Sequence, residues 1–124
     1  MKEFINLPGR PSGLPFSDAV LVDGTLYLSG RIGFMPGTLT VPANVEEEIK
    51  HLLDGLREVL AAAKMTTDDL VQVQVFTPDV TLFDEFNALY RTYFSENLPA
   101  RAFLGSGPLL MGARFELVAV ARKG

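Results

Sequence analysis

An α+β fold, with two helices on one face of a β-sheet, follows from three features of the sequence. The apolar periodicities succeed one another as hairpin, helix, strand, helix, strand, strand. Two helices cover only one face of a sheet this size. Several strands are nonetheless apolar on both sides: Val20, Leu21 and Val22 run together, as do Leu117, Val118, Ala119 and Val120. The second face therefore needs a cover. Another copy of the chain is the simplest one, so the sequence predicts a homo-oligomer.

The hairpin joins Ala19-Val20-Leu21-Val22 to Thr25-Leu26-Tyr27-Leu28-Ser29 through Asp23-Gly24. A type I′ turn needs positive φ at both central residues, which Asp-Gly tolerates. The first helix carries Val45, Ile49, Leu52, Leu53, Leu56, Val59, Leu60 and Ala63 on one face. Asn44 is its expected N-cap, with Glu47 three residues on as in a capping box. Glu46, Glu47 and Glu48 suit the positive end of the helix dipole and Lys64 the other end. Between Leu70 and Thr77, Val71, Val73 and Val75 alternate with Gln72, Gln74 and Phe76, as in a strand that Pro78 closes. A second helix is expected from about Thr81 to Ser95, its stripe of Phe83, Phe86, Tyr90, Tyr93 and Phe94 turned to the core. Strands follow over Ala100–Gly105 and Arg114–Ala121, and Phe4–Leu7 adds a short one at the start.

Composition narrows the function. With 48% apolar residues, the 124-residue chain can build a proper core, and its length suits one domain over residues 1–124. The absence of cysteine excludes disulfides, thiolate metal sites and cysteine nucleophiles. Eleven Lys and Arg against fifteen Asp and Glu leave a net charge of −4, with no basic run, which argues against nucleic-acid binding by counterion displacement. No apolar run approaches a membrane span. Met1 to Asn6 lacks the apolar stretch of a signal peptide, so a cytoplasmic protein is expected. Gly30, Gly33 and Gly37 neither open directly into a helix nor precede a Lys-Ser/Thr pair, as a phosphate-binding loop would.

Few residues are placed to do chemistry. His51 is the single histidine and lies off the apolar stripe, so it is read as solvated, with no metal or triad role. Glu116 alternates onto the same face as Val118 and Val120, where a carboxylate is costly unless paired or functional. Arg114 shares that face, so a surface ion pair and a functional carboxylate fit equally well. Arg101, directly after Pro99-Ala100 at a strand mouth, suits a two-pronged clamp on a carboxylate. A plain surface arginine fits the same pattern. Ser29-Gly30 either lets a ligand approach backbone amides or forms an ordinary turn.

Several stretches, in order and spacing, resemble one family. They are Pro15-Phe16-Ser17-Asp18-Ala19-Val20, Leu28-Ser29-Gly30-Arg31-Ile32, Phe86-Asn87-Ala88-Leu89-Tyr90 and Tyr93-Phe94. Most specific are Leu98-Pro99-Ala100-Arg101 and Gly112-Ala113-Arg114-Phe115-Glu116-Leu117-Val118-Ala119-Val120-Ala121. Together they resemble the reactive intermediate/imine deaminase (RidA) family, also known as YjgF or L-PSP.

The resemblance implies a chorismate-mutase-like mixed sheet with two helices on one face, and a homotrimer with clefts between subunits. It implies hydrolysis of enamines and imines such as 2-aminoacrylate to a 2-oxo acid and ammonia, with no cofactor and no metal. By the same resemblance, Arg101 falls on the arginine that holds the substrate carboxylate and Glu116 on the glutamate that positions water. Ser29 falls on a pocket serine, Gly30 on the glycine whose backbone lines the site, and Asn87 on a structural asparagine. The resemblance also places Phe16, Arg31 and Phe103 at the substrate pocket, where they depart from the family pattern: Phe16 stands for the usual tyrosine, Arg31 for the usual glutamine, and Phe103 for a small or sulfur-bearing residue. The alternatives are a trimeric module that binds small carboxylates without turnover and, against the acidic balance, a ribonuclease or translation inhibitor.

Overall fold

A computed structural model describes residues 1–123 of the chain. Strands β1 (Lys2–Ile5), β2 (Ala19–Val22) and β3 (Thr25–Ile32) precede helix α1 (Val45–Ala62). Strand β4 (Leu70–Thr77), helix α2 (Phe83–Tyr90), and strands β5 (Ala100–Gly105) and β6 (Glu116–Arg122) complete it. The strands form one sheet in the order β1-β2-β3-β6-β4-β5. Only β4 and β5 run parallel, joined by the α2 crossover, so the sheet is mixed.

Strand alternation divides the sheet into two unlike faces. Leu26, Leu28, Val73, Val75, Leu117, Ala119 and Ala121 are buried in one core with Leu52, Leu53, Leu56 and Leu60 of α1 and Phe86 and Tyr90 of α2. The registers Phe4↔Val20, Val20↔Tyr27 and Tyr27↔Val120 place these residues on the other face, which no helix covers. There Phe4 is 63% and Tyr27 53% exposed. The apolar second face expected from the sequence is present. No helix among the described residues is long and apolar enough to cross a membrane.

The turn at Asp23-Gly24 has φ of 48° and 85°, the positive pair expected of a type I′ hairpin. The second hairpin strand outruns its expected end at Ser29. It continues to Ile32 through a bulge, since Leu28 pairs with Ala119 but Arg31 with Leu117, leaving Ser29 and Gly30 opposite Val118. The N-terminal strand lies earlier than expected. Leu7 has left the sheet, its amide donating to the Asp18 carboxylate at 2.8 Å. Helix α2 is shorter than expected, flanked by 3₁₀ turns at Val80–Leu82 and Arg91–Tyr93. The Thr67 hydroxyl takes the Tyr93 carbonyl, which ends the run there.

Helix α1 begins as expected, with Asn44 Oδ1 accepting from the Glu47 amide at 3.0 Å. At its other end Lys64 adopts a left-handed φ of 61° rather than sitting in the last turn. Lys64 N–H donates to Ala61 O and Met65 N–H to Leu60 O, the paired bonds of a Schellman motif.

Glu48 corrects the sequence expectation most. It does more than complement the helix dipole: its side chain is fully buried. It accepts from Arg114 N and Nε, both at 2.8 Å, and from Phe115 N at 3.3 Å. Arg114 is therefore the partner of Glu48 and not of Glu116. Its remaining Nη2 donates to Pro42 O and Ala43 O. The ladder of β6 consequently begins at Glu116, two residues later than the alternation predicts.

Removing one member of a buried ion pair strands the other, at about 3–5 kcal/mol. Glu48→Ala is expected to lower the unfolding free energy by that order in urea titration, and an unchanged midpoint would show the pair to be idle. Lys64→Gly relieves the left-handed side chain and should raise stability by about 1 kcal/mol, read in the same titration.

Candidate functional site

The parallel register sets Arg101 beside Val73 and Phe103 beside Val75, both on the helix-facing side of the sheet. Arg101 Nη2 donates to Asn87 Oδ1 of α2 at 2.7 Å. Its guanidinium lies 4.7 Å from the Tyr90 ring centre and between 5.4 and 5.8 Å from those of Phe103, Phe83 and Phe86. Cation–π attraction holds a guanidinium in such a seat. Burial lowers the Arg101 pKa from its ordinary value, with Tyr90 pulling the other way. Burial also pushes the Tyr90 hydroxyl up to about 12, so it stays protonated. That hydroxyl is buried without a hydrogen-bond partner among the described residues.

The aromatic stripe of the second helix thus has two uses. Phe86 and Tyr90 are core, as the sequence predicts, and with the exposed Phe83 they also seat Arg101. The spacing of Phe83, Phe86, Asn87 and Tyr90 along one helical face was the available signal. Which strand residue they receive depended on the parallel pairing of β5.

Glu116 sits on the opposite, uncovered face, registered with Ile32 and Phe76. Its carboxylate lies over the bulge: a Cβ built on Gly30 would stand 2.2 Å from Glu116 Oε2. The open space expected at Gly30 is thus filled by Glu116, which the missing side chain admits. Ser29 Oγ donates to Ser17 O at 2.5 Å and ties the bulge to the preceding loop. Phe16 lies beneath the Arg10 guanidinium at 5.6 Å.

Phe16, Ser29, Gly30 and Arg31 line one cavity of about 670 Å³ beside β3. Arg101 and Phe103 do not reach it. Arg31 pairs with Leu117, which turns it toward α1 and away from the face that bears Glu116. It packs on Gly55, where a Cβ would come within 2.5 Å of Nε. His51 also borders the cavity. Among the described residues, no group of three His, Cys, Asp or Glu side chains is placed to hold a metal ion.

Within one chain, then, the candidate residues fall into two sets. Arg101, Phe103 and Asn87 occupy the helix-facing side at the edge strand β5. Glu116, Gly30, Ser29 and Phe16 gather about the bulge of β3, with β4 between β6 and β5.

A family model described as Endoribonuclease L-PSP matches residues 9–123. A 2-iminobutanoate/2-iminopropanoate deaminase of Rattus norvegicus is 43% identical over 126 residues, spanning 100% of this chain and 92% of the relative. The protein of that name from Homo sapiens is 40% identical over 111 residues, spanning 89% of this chain and 81% of its own. The crystal structure of the YjgF gene product of E. coli shares the fold with a TM-score of 0.90 at 28% identity, covering 98% of this chain and 99% of that one. The mixed sheet with its two-helix layer is the architecture the sequence resemblance implied, and on these matches the chain belongs to the L-PSP family, also known as RidA or YjgF.

Proposed function

We propose that residues 1–124 form one RidA-type domain, and that a homotrimer of it hydrolyses enamines and imines of the 2-aminoacrylate type to a 2-oxo acid and ammonia. One observation carries this reading. Arg101 and Glu116 lie on opposite faces of the sheet within a chain, each beside a surface that another copy can complete. Arg101 is on the edge strand β5, and Glu116 borders the uncovered face bearing Tyr27, Val118 and Val120. A neighbouring subunit would bring the cation of one chain to the carboxylate of the next and cover apolar surface in doing so. Relatives 36–43% identical bear the name 2-iminobutanoate/2-iminopropanoate deaminase, which supports the choice of substrate class.

Arg101 holds the substrate carboxylate through the guanidinium nitrogens that Asn87 leaves free. The enamine takes a proton from solvent at its terminal carbon and becomes the iminium form of the imine. Water held by Glu116 adds to the imine carbon while the carboxylate accepts its proton. That proton then passes to nitrogen and the hydroxyl proton to Glu116, so the carbonyl forms as the carbon–nitrogen bond breaks and ammonia leaves. Ser29 and Gly30 set the floor on which this carboxylate rests, and Phe16 and Phe103 give shape. The imine is already electrophilic, so placement of the water is the main demand.

The assay couples an amino-acid dehydratase to the protein and follows 2-oxo acid release. Acceleration over spontaneous hydrolysis is expected, and its absence sinks the catalytic claim. Binding of 2-oxo acids without turnover would assign the protein to the non-catalytic carboxylate-binding class. Arg101→Ala should reduce kcat/KM by roughly 10²–10³-fold.

Gly30→Ala drives a methyl group into Glu116. It should lower kcat by about 10²-fold while leaving 2-oxo acid binding in place. A Gly30→Ala enzyme with unchanged kcat would remove Glu116 from the mechanism. Light scattering should give three times the 13.5 kDa chain mass, and a monomer at micromolar concentration would overturn the shared site.

A further inference from the structure

Phe83 is an aromatic side chain that the core leaves uncovered. It opens α2 and is 44% exposed, whereas Phe86 and Tyr90, further along the same helical face, are buried. Its position is nevertheless fixed. The 3₁₀ turn before it is capped by Asp79, whose Oδ1 accepts from Thr81 N at 3.0 Å and from Thr81 Oγ1 at 2.6 Å. The Phe83 ring then meets that of Phe103 edge to face, with centres 5.1 Å apart and planes at 82°. Phe103 is itself only half-buried, on the edge strand β5.

The four rings about Arg101 are thus of two kinds. Phe86 and Tyr90 are buried and form the floor of the seat. Phe83 at 5.7 Å and Phe103 at 5.4 Å from the guanidinium reach the surface and form its rim. Arg101 is half-buried, donates once to Asn87, and pairs with no carboxylate of the described residues. An acid held by its remaining donors must lead its carbon chain away past the rim. Arg91, the other cation that Arg101 feels, turns its Nε to Asn87 O at 3.4 Å.

The chemistry of the rim sets what passes it. Each methylene buried against such rings is worth about fourfold in affinity. A charged end of the chain would meet ring surface there without a hydrogen-bond donor. We infer that Phe83 and Phe103 are specificity-determining residues, which favour 2-imino acids with an apolar side chain of several carbons over those ending in a methyl or a charged group. The inference deepens the proposed function and rests on Arg101 as the carboxylate clamp.

Calorimetric titration of the full chain with 4-methyl-2-oxopentanoate, pyruvate and 2-oxoglutarate reads the rim without turnover. Wild type should bind the first about tenfold more tightly than either of the others. Phe83→Ala should cut that preference over pyruvate to about twofold, and because Phe83 is exposed its truncation spares the core. Phe103→Leu, which keeps bulk on the core side, should move the preference the same way. The ratio is the readout because a loosened Arg101 seat weakens every acid alike. Arg101→Ala should abolish binding of all three. Equal affinities in wild type, 2-oxoglutarate binding as tightly as 4-methyl-2-oxopentanoate, or a ratio that neither phenylalanine variant changes overturns the rim, even where imines are hydrolysed. A preference that survives Arg101→Ala, or no binding of any acid, overturns the clamp and the rim together. The expected preference in a protein that accelerates no imine hydrolysis sinks the deaminase reading and upholds the rim.

Discussion

The fully buried Glu48 carboxylate is the constraint on which the site's geometry depends. A carboxylate out of water needs its lone pairs filled, and here two backbone amides and one guanidinium nitrogen fill them. All three donors belong to Arg114 and Phe115, so one charged group on α1 holds the residues that lead into β6. The other side of the same turn is gripped by Gly33, where a Cβ would stand 2.1 Å from the Glu48 carbonyl oxygen. The exit from β3, the first turn of α1 and the entry to β6 are thus bound at one point. Glu116 follows directly after Phe115, and the bulge it rests on lies just before Gly33.

The sheet's two faces do different work. The helix-facing side is closed by α1 and α2 and supplies the core. At its β5 edge that same side holds a cation, made tolerable by aromatic rings and by Asn87. The other side is apolar, largely half-buried to exposed, and carries the one carboxylate that the alternation of β6 turns outward. In the proposed function, a site assembled from both sides is incomplete in a single subunit, and association and chemistry then draw on the same residues. An unpaired edge strand and an apolar face are liabilities for a lone chain and become interface when copies meet.

Three arginines illustrate how surroundings give identical side chains different uses. Arg101 has an aromatic seat and a neutral amide partner, which leaves its charge available to an anion. Arg114 spends its charge on Glu48 and two carbonyls, and has none to offer. Arg31 stands between these cases, loosely ion-paired with Asp18 at 3.8 Å and packed on a helix face cleared by glycine.

The sequence by itself determined the local elements, since these rest on neighbours along the chain. Periods of 2 and 3.6 located the strands and α1, Asp23-Gly24 made the hairpin, and alternation set Glu116 on the face of Val118 and Val120. Motif order was enough to indicate the family. Only the tertiary structure decided which charges meet. Arg114 was legible as a partner for nearby Glu116, yet it pairs with Glu48, 66 residues away, because the buried carboxylate had the greater need. The bulge at Ser29-Gly30 and the parallel β4–β5 register were equally out of reach, for each is a relation between distant strands. That register put Arg101 behind the sheet, against Asn87, while Glu116 stayed in front. Residue types and faces are local properties, whereas convergence on a site is fixed by packing across the whole chain.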